Sequence, residues 1–111
     1  MKFNEVFSTL RQLNVPVAYD HFDSPPSIPF ITYSDSGSNH VYADNSVYKR
    51  ALYVEIELYT DKKDLSIENK LENLLDERGI VYSSNPTIWI DSEKLYQKIY
   101  EIGVDITSSL S

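Results

Sequence analysis

Asp20-His21-Phe22-Asp23 is the one place in the sequence where a histidine stands beside carboxylates. Such a cluster can orient a general base or ligate a metal, so a small hydrolase or metal-dependent enzyme using Asp20, His21 and Asp23 is one reading. Three ligands so close on an extended segment cannot all face one ion, however, and the second histidine, His40, stands alone. Glu55 and Glu57 share one face of any strand that carries them and could be imagined as an acid/base pair. Adjacent carboxylates on a half-exposed strand are more often solvent or interface residues. No Gly-x-Ser-x-Gly elbow is present, and three glycines in the chain cannot build a phosphate-cradling loop. Nucleophilic catalysis and nucleotide binding therefore lack their parts, and neither cofactor nor metal is expected.

The nine tyrosines are the unusual feature. Tyrosine joins a large apolar ring to a polar tip and is enriched at subunit contacts, although half-buried sheet tyrosines are also ordinary. Seventeen acidic against ten basic residues give a net charge of −7, so phosphate backbones and anionic membranes are repelled unless bases are concentrated locally. The longest basic groupings are only Lys49-Arg50 and Lys62-Lys63. The chain lacks cysteine, which removes disulfides and thiolate sites and fits assembly in a reducing compartment. No run of signal-peptide or membrane-spanning character is visible, so neither export by a cleaved signal nor a membrane partner is expected.

The elements that must position these residues form one α+β domain over the 111 residues. Phe3, Val6, Phe7, Leu10 and Leu13 recur at helical spacing, and Pro16 ends that helix near Asn14. Val17–Tyr19 is extended, the proline-rich stretch 23–29 is a connector, and Phe30–Tyr33 is a short strand. Residues 34–48 turn to Ser, Asp, Asn and Gly with Val41, Tyr42, Val47 and Tyr48 interspersed. We read them as a long functional loop, with a hairpin as the alternative form. Arg50–Thr60 alternates cleanly, sending Leu52, Val54, Ile56 and Leu58 one way and Tyr53, Glu55, Glu57 and Tyr59 the other. Asp61–Asp64 opens a second helix with a stripe of Leu65, Ile67, Leu71, Leu74 and Leu75, closed by Gly79 in a left-handed cap. Strands follow around Ile80–Tyr82 and Thr87–Ile90. A last strand carries the alternation of Tyr96, Lys98, Tyr100, Ile102, Val104 and Ile106, and a frayed tail covers 107–111. The expected architecture is a mainly antiparallel sheet of four to five strands packed by the N-terminal helix and the second helix.

Several segments together resemble one family. NVPVAYDHF (14–22), PPSIPFITY (25–33), YADNSVY (42–48), VEIELYTDKKD (54–64) and IENKLENLL (67–75) look like small tail-completion, or tail-terminator, proteins of long-tailed bacteriophages and prophages of Gram-positive bacteria. These proteins are also called minor capsid or head–tail joining proteins. The resemblance runs over nearly the whole chain and rests on the ordered set rather than on any single motif.

The resemblance implies a structural virion protein and no enzyme. Such a protein is assembled in the host cytoplasm and caps the head-proximal end of the tail tube, typically as a six-fold ring that is compatible with a monomeric free subunit. Its partners would be further copies of itself, the tail tube protein and the head connector or neck protein. DNA would pass through without specific binding. Another neck or head-completion role is the nearby alternative. Because YADNSVY matches in place, Asp44 and Asn45 become interface candidates beside Tyr42 and Tyr48, and the polar strand face adds Tyr53, Glu55, Glu57 and Tyr59. Six copies at −7 each would total −42, and an acidic lumen would let DNA slide without sticking.

Overall fold

The computed structural model describes residues 1–44 and 47–105, with the backbone alone between 38 and 50. One α+β unit results: a six-stranded sheet with the two helical segments against one face. The N-terminal segment is α-helical only over α1 (Val6–Leu10), with a 3-10 turn on each side, and it ends at Asn14 in the left-handed conformation (φ 58°). Asn tolerates that conformation better than most residues, so the chain can turn there and enter β1 (Val17–Tyr19).

β2 (Phe30–Asp44) and β3 (Val47–Thr60) are long antiparallel partners, and β3 pairs on its other side with β6 (Leu95–Asp105). Two short strands, β4 (Tyr82–Ser84) and β5 (Ile88–Ile90), share the far edge of β6, separated by residues 85–87. The sheet is mainly antiparallel, as expected, and departs from expectation in detail. The sheet has six strands rather than four or five. It includes one parallel pair, β1 with β2, because the proline-rich segment is a crossover and not a plain connector. The segment 34–48 takes the alternative form, a hairpin in place of a loop, since β2 continues to Asp44 and β3 starts at Val47. Its Ser and Gly residues lie where the register slips between Asp35 and Asn39, with Gly37 at φ +86° and its N–H held by Asp35 Oδ1 at 2.7 Å. Asn45, Ile106 and the tail 107–111 lie outside the described residues.

The core lies between the sheet and the helices. Val54, Ile56 and Leu58 of β3, with Tyr100, Ile102 and Val104 of β6, meet Val6 and Leu10 of α1 and Ile67, Leu71 and Leu75 of α2 (Leu65–Glu77). The alternation of β3 thus faces as expected, with Leu52 partly buried at its end. Leu65 departs from the expected stripe: it is 63% exposed at the first position of α2. Tyr100 is fully buried, and its hydroxyl donates to Glu72 Oε2 at 2.7 Å, tying α2 to the sheet. Burial and the neighbouring carboxylates raise its pKa. At the start of α2, Lys63 Nζ donates to the buried carboxylate of Glu68 at 2.9 Å and to Thr87 Oγ1 at 2.8 Å.

Both ends of α2 are closed by local chemistry. Asp64 Oδ1 accepts from the Ser66 and Ile67 amides at 3.1 and 3.2 Å. At the other end Gly79 (φ +68°) lets its amide reach Asp76 O and the Ile80 amide reach Leu75 O, which is the Schellman arrangement. Replacing Asp64 by Ala orphans two helix-start donors and is expected to cost about 1 kcal/mol, read as a lower urea midpoint at unchanged slope.

Candidate functional site: the open sheet face and the hairpin arm

Among the described residues no element covers the middle of the sheet face away from the helices. Register puts four rows there: Tyr53 with Gly103, Glu55 with Glu101, Glu57 with Ile99, and Tyr59 with Gln97. The expected set Tyr53, Glu55, Glu57 and Tyr59 is therefore brought together on one surface, and all four are half-buried. The Tyr53 ring packs beside Gly103, where an added Cβ would meet it at 3.5 Å, an ordinary van der Waals contact.

One half of this face is a closed polar network. Tyr59 donates its hydroxyl to Glu57 Oε2 at 3.0 Å, while Gln97 Nε2 donates to the same carboxylate oxygen at 3.1 Å and to the Tyr59 oxygen at 2.8 Å. Ser34 reaches Glu57 Oε1 at 3.5 Å. Desolvation, then the charge of Glu57, pushes the Tyr59 pKa up from 10.0 to about 12. The other half is unrelieved: Glu55 and Glu101 face each other across the ladder, and like charges directly opposite destabilise a sheet.

Beyond Tyr59 the face runs into a groove of about 660 Å³ under the crossover. Its floor is aromatic and aliphatic, with Phe30 stacked on Tyr59 at 4.8 Å, Phe22 edge-on to Phe30 at 5.5 Å, and Ile28 and Leu95 beside them. Asp20, His21, Asp23 and Glu93 form its rim. His21 Nδ1 lies 3.1 Å from Asp20 Oδ2 and Nε2 lies 3.6 Å from Asp23 Oδ1, all on largely exposed side chains. Nδ1 is thus within hydrogen-bond reach of Asp20, while Nε2 lies beyond that reach of Asp23 and is open to solvent. Among the described residues no group of three His, Asp or Glu is arranged to hold a metal ion.

The remaining candidates sit on the hairpin. Tyr42 pairs with Lys49, Ala43 with Tyr48 and Asp44 with Val47. β3 joins β6 only from Ala51 onward and β1 leaves β2 after Tyr33, so among the described residues the ladder from Val41 to Arg50 is a two-stranded arm projecting beyond the sheet. It contributes to a molecule 49 Å long and only 28 and 23 Å across.

Sequence reasoning missed Ser34, Gln97, Ile99 and Glu101. The alternation that sends Tyr100 to the core also sends Gln97, Ile99 and Glu101 to the opposite face, and that period of two is the signal for them. The groove was missed as well, because a proline-rich segment looks the same whether it crosses a sheet face or merely spans a gap.

The chain matches no family model and no curated protein sequence. Among the described residues no helix is long and apolar enough to cross a membrane.

The network around Tyr59 has a pH signature. Its pKa is raised in the folded state from 10.0 to about 12, so folding keeps a proton that the unfolded chain gives up, and the associated stability is complete below the ordinary value and fades as pH rises through this window. Urea midpoints from about pH 9 upward should fall less steeply for Tyr59→Phe than for the wild type. The slope does not vanish, because Tyr100 is shifted in the same direction.

Proposed function

We propose that the chain is a structural subunit of a bacteriophage or prophage tail, which assembles on the head-proximal end of the tail tube, stops its growth and presents a surface to the head connector. The observation that carries this reading is the projecting arm formed by β2 and β3, which bears Tyr42, Asp44 and Tyr48 from the segment resembling tail-completion proteins. A two-stranded arm buries too little to be stable alone in water, so its length is better explained by a partner that covers it than by the needs of this subunit's core.

Two further features support the reading. The open face joins half-buried tyrosines to carboxylates, a mixture suited to a partner surface. The acidic balance of −7 suits a component past which DNA must slide without adhering. In this reading the subunit resides in the virion, at the junction of tail and neck, and acts as a ring closed by repeated contacts between copies.

The arm supplies the test. His40 and Ala51 are register partners, so an Asn-Gly turn placed between them can replace residues 41–50 without disturbing the rest of the ladder. Added to growing tail tubes of the parent phage, the full chain should yield tubes of uniform length by electron microscopy. The shortened chain should fold with a similar melting temperature and leave tube lengths scattered. A full chain that does not limit tube growth but restores head joining would assign it to the neck instead. Equal capping by both chains would remove the arm from the account.

A further inference from the structure

The groove under the crossover is edged by two elements far apart in sequence. The crossover supplies Asp20 and Asp23, and the turn between β5 and β6 supplies Glu93. Among the described residues no lysine or arginine lines it. Lys94, next to Glu93 in the chain, is held by Asp91 Oδ1 at 2.9 Å, and the one other titrating group at the rim is His21, beside Asp20 and Asp23. The crossover rim is anchored to the sheet, since the Asp20 amide donates to Tyr33 O at 2.8 Å.

Between these acidic edges lies the apolar floor of Phe22, Phe30, Tyr59 and Leu95, with Ile28 left 46% exposed beside it. A wholly apolar occupant would strip water from the carboxylates with nothing in return, and an anion would be repelled. A cation on an apolar stem satisfies both parts: the stem covers the floor, the charge meets the rim, and the aromatic rings attract it.

Thr32 adds an independent sign on the same floor. It is the register partner of Glu57, so its side chain projects to the groove side while Ile31 and Tyr33 enter the core. It is only 5% exposed, and its Oγ1 has no hydrogen-bond partner. Buried hydroxyls are seldom left so, and a donor entering the groove supplies what is missing. Arginine suits this better than lysine, because its planar guanidinium carries five N–H donors and stacks on aromatic rings. A volume of about 660 Å³ is also more than one guanidinium fills, and the residues flanking an arginine in a polypeptide would cover Ile28.

We infer that the groove receives an extended segment of a partner protein, with one arginine side chain laid on the aromatic floor, its guanidinium bonded to Thr32 and its charge matched by Asp20, Asp23 and Glu93. The site goes beyond the tail reading and does not rest on it.

The capped tripeptide acetyl-Leu-Arg-Leu-amide serves as the probe, titrated into the isotope-labelled full chain and followed by amide chemical shifts and calorimetry. Shifts should gather at residues 20–32 and 92–95. The citrulline peptide, which keeps the shape and loses the charge, should bind at least about tenfold more weakly. Asp23→Asn with Glu93→Gln should weaken the arginine peptide at least about fivefold, whereas Asp76→Asn with Glu77→Gln, the same loss of charge from exposed positions of α2, should leave it unchanged. Thr32→Val should weaken it about threefold and melt no lower than the wild type, because it removes a hydroxyl that has no partner. Equal binding of the citrulline peptide, an equal loss from the α2 pair, or shifts confined to the rows of Glu55 and Glu101 would overturn the site. Ethylguanidinium binding as tightly as the peptide would overturn the protein segment in favour of a small cation. Tube capping is not involved, so failure here leaves the capping role standing.

Discussion

The alternation of side chains along β3 is the constraint on which the rest of the molecule depends. A strand can bury one face against helices only by presenting the other, and Val54, Ile56 and Leu58 bind it to the core while Glu55, Glu57 and Tyr59 are committed to the opposite side. Each fully buried aliphatic side chain contributes about 1.5–3 kcal/mol, so a one-residue slip, which would place glutamates under α2, is prohibited. Because β3 is central and paired with both β2 and β6, its register also aligns Gln97, Ile99 and Glu101 with its own open-face residues. The candidate surface is in this sense a by-product of a core that cannot be rearranged.

Around that strand the molecule divides into a part locked by buried contacts and a part that projects from it. Tyr100 with Glu72, and Lys63 with Glu68 and Thr87, pin α2 to the sheet through polar groups that would be costly to leave unpaired. The irregularity between Asp35 and Asn39 marks the boundary. On one side β2 is held between β1 and β3, and on the other, among the described residues, the hairpin has only its own ladder. A rigid platform carrying an arm is a sound way to make a contact whose geometry is set by the platform and whose energy comes from a partner.

What could be read from the sequence follows the range of the interactions involved. The start and stop of α2 depend on Asp64 and Gly79 within a few residues, and the faces of β3 on a period of two, so both were legible. The long hairpin was legible only as the alternative to a loop, because Ser36 and Gly37 resemble loop residues until a bulge opposite Tyr53 gives them a place. Likewise, nothing local distinguishes a parallel β1–β2 pair from an antiparallel one; the crossover over Phe30 decides it. The surface was half legible for the same reason: Glu55 and Glu57 could be placed by alternation, whereas their neighbours Glu101 and Gln97 arrive from a strand some forty residues away. Tyrosine count alone was a poor guide, since Tyr100 belongs to the core and Tyr59 to the open face.

The central claim is that this chain forms the closing ring of a phage tail, and electron cryomicroscopy of particles made without it, beside particles with it restored, tests that most directly. The account predicts overlong or headless tails in its absence, and normal length, head joining and a ring of density at the head-proximal end of the tube on restoration. Tails of normal length joined to normal heads without the protein would contradict it.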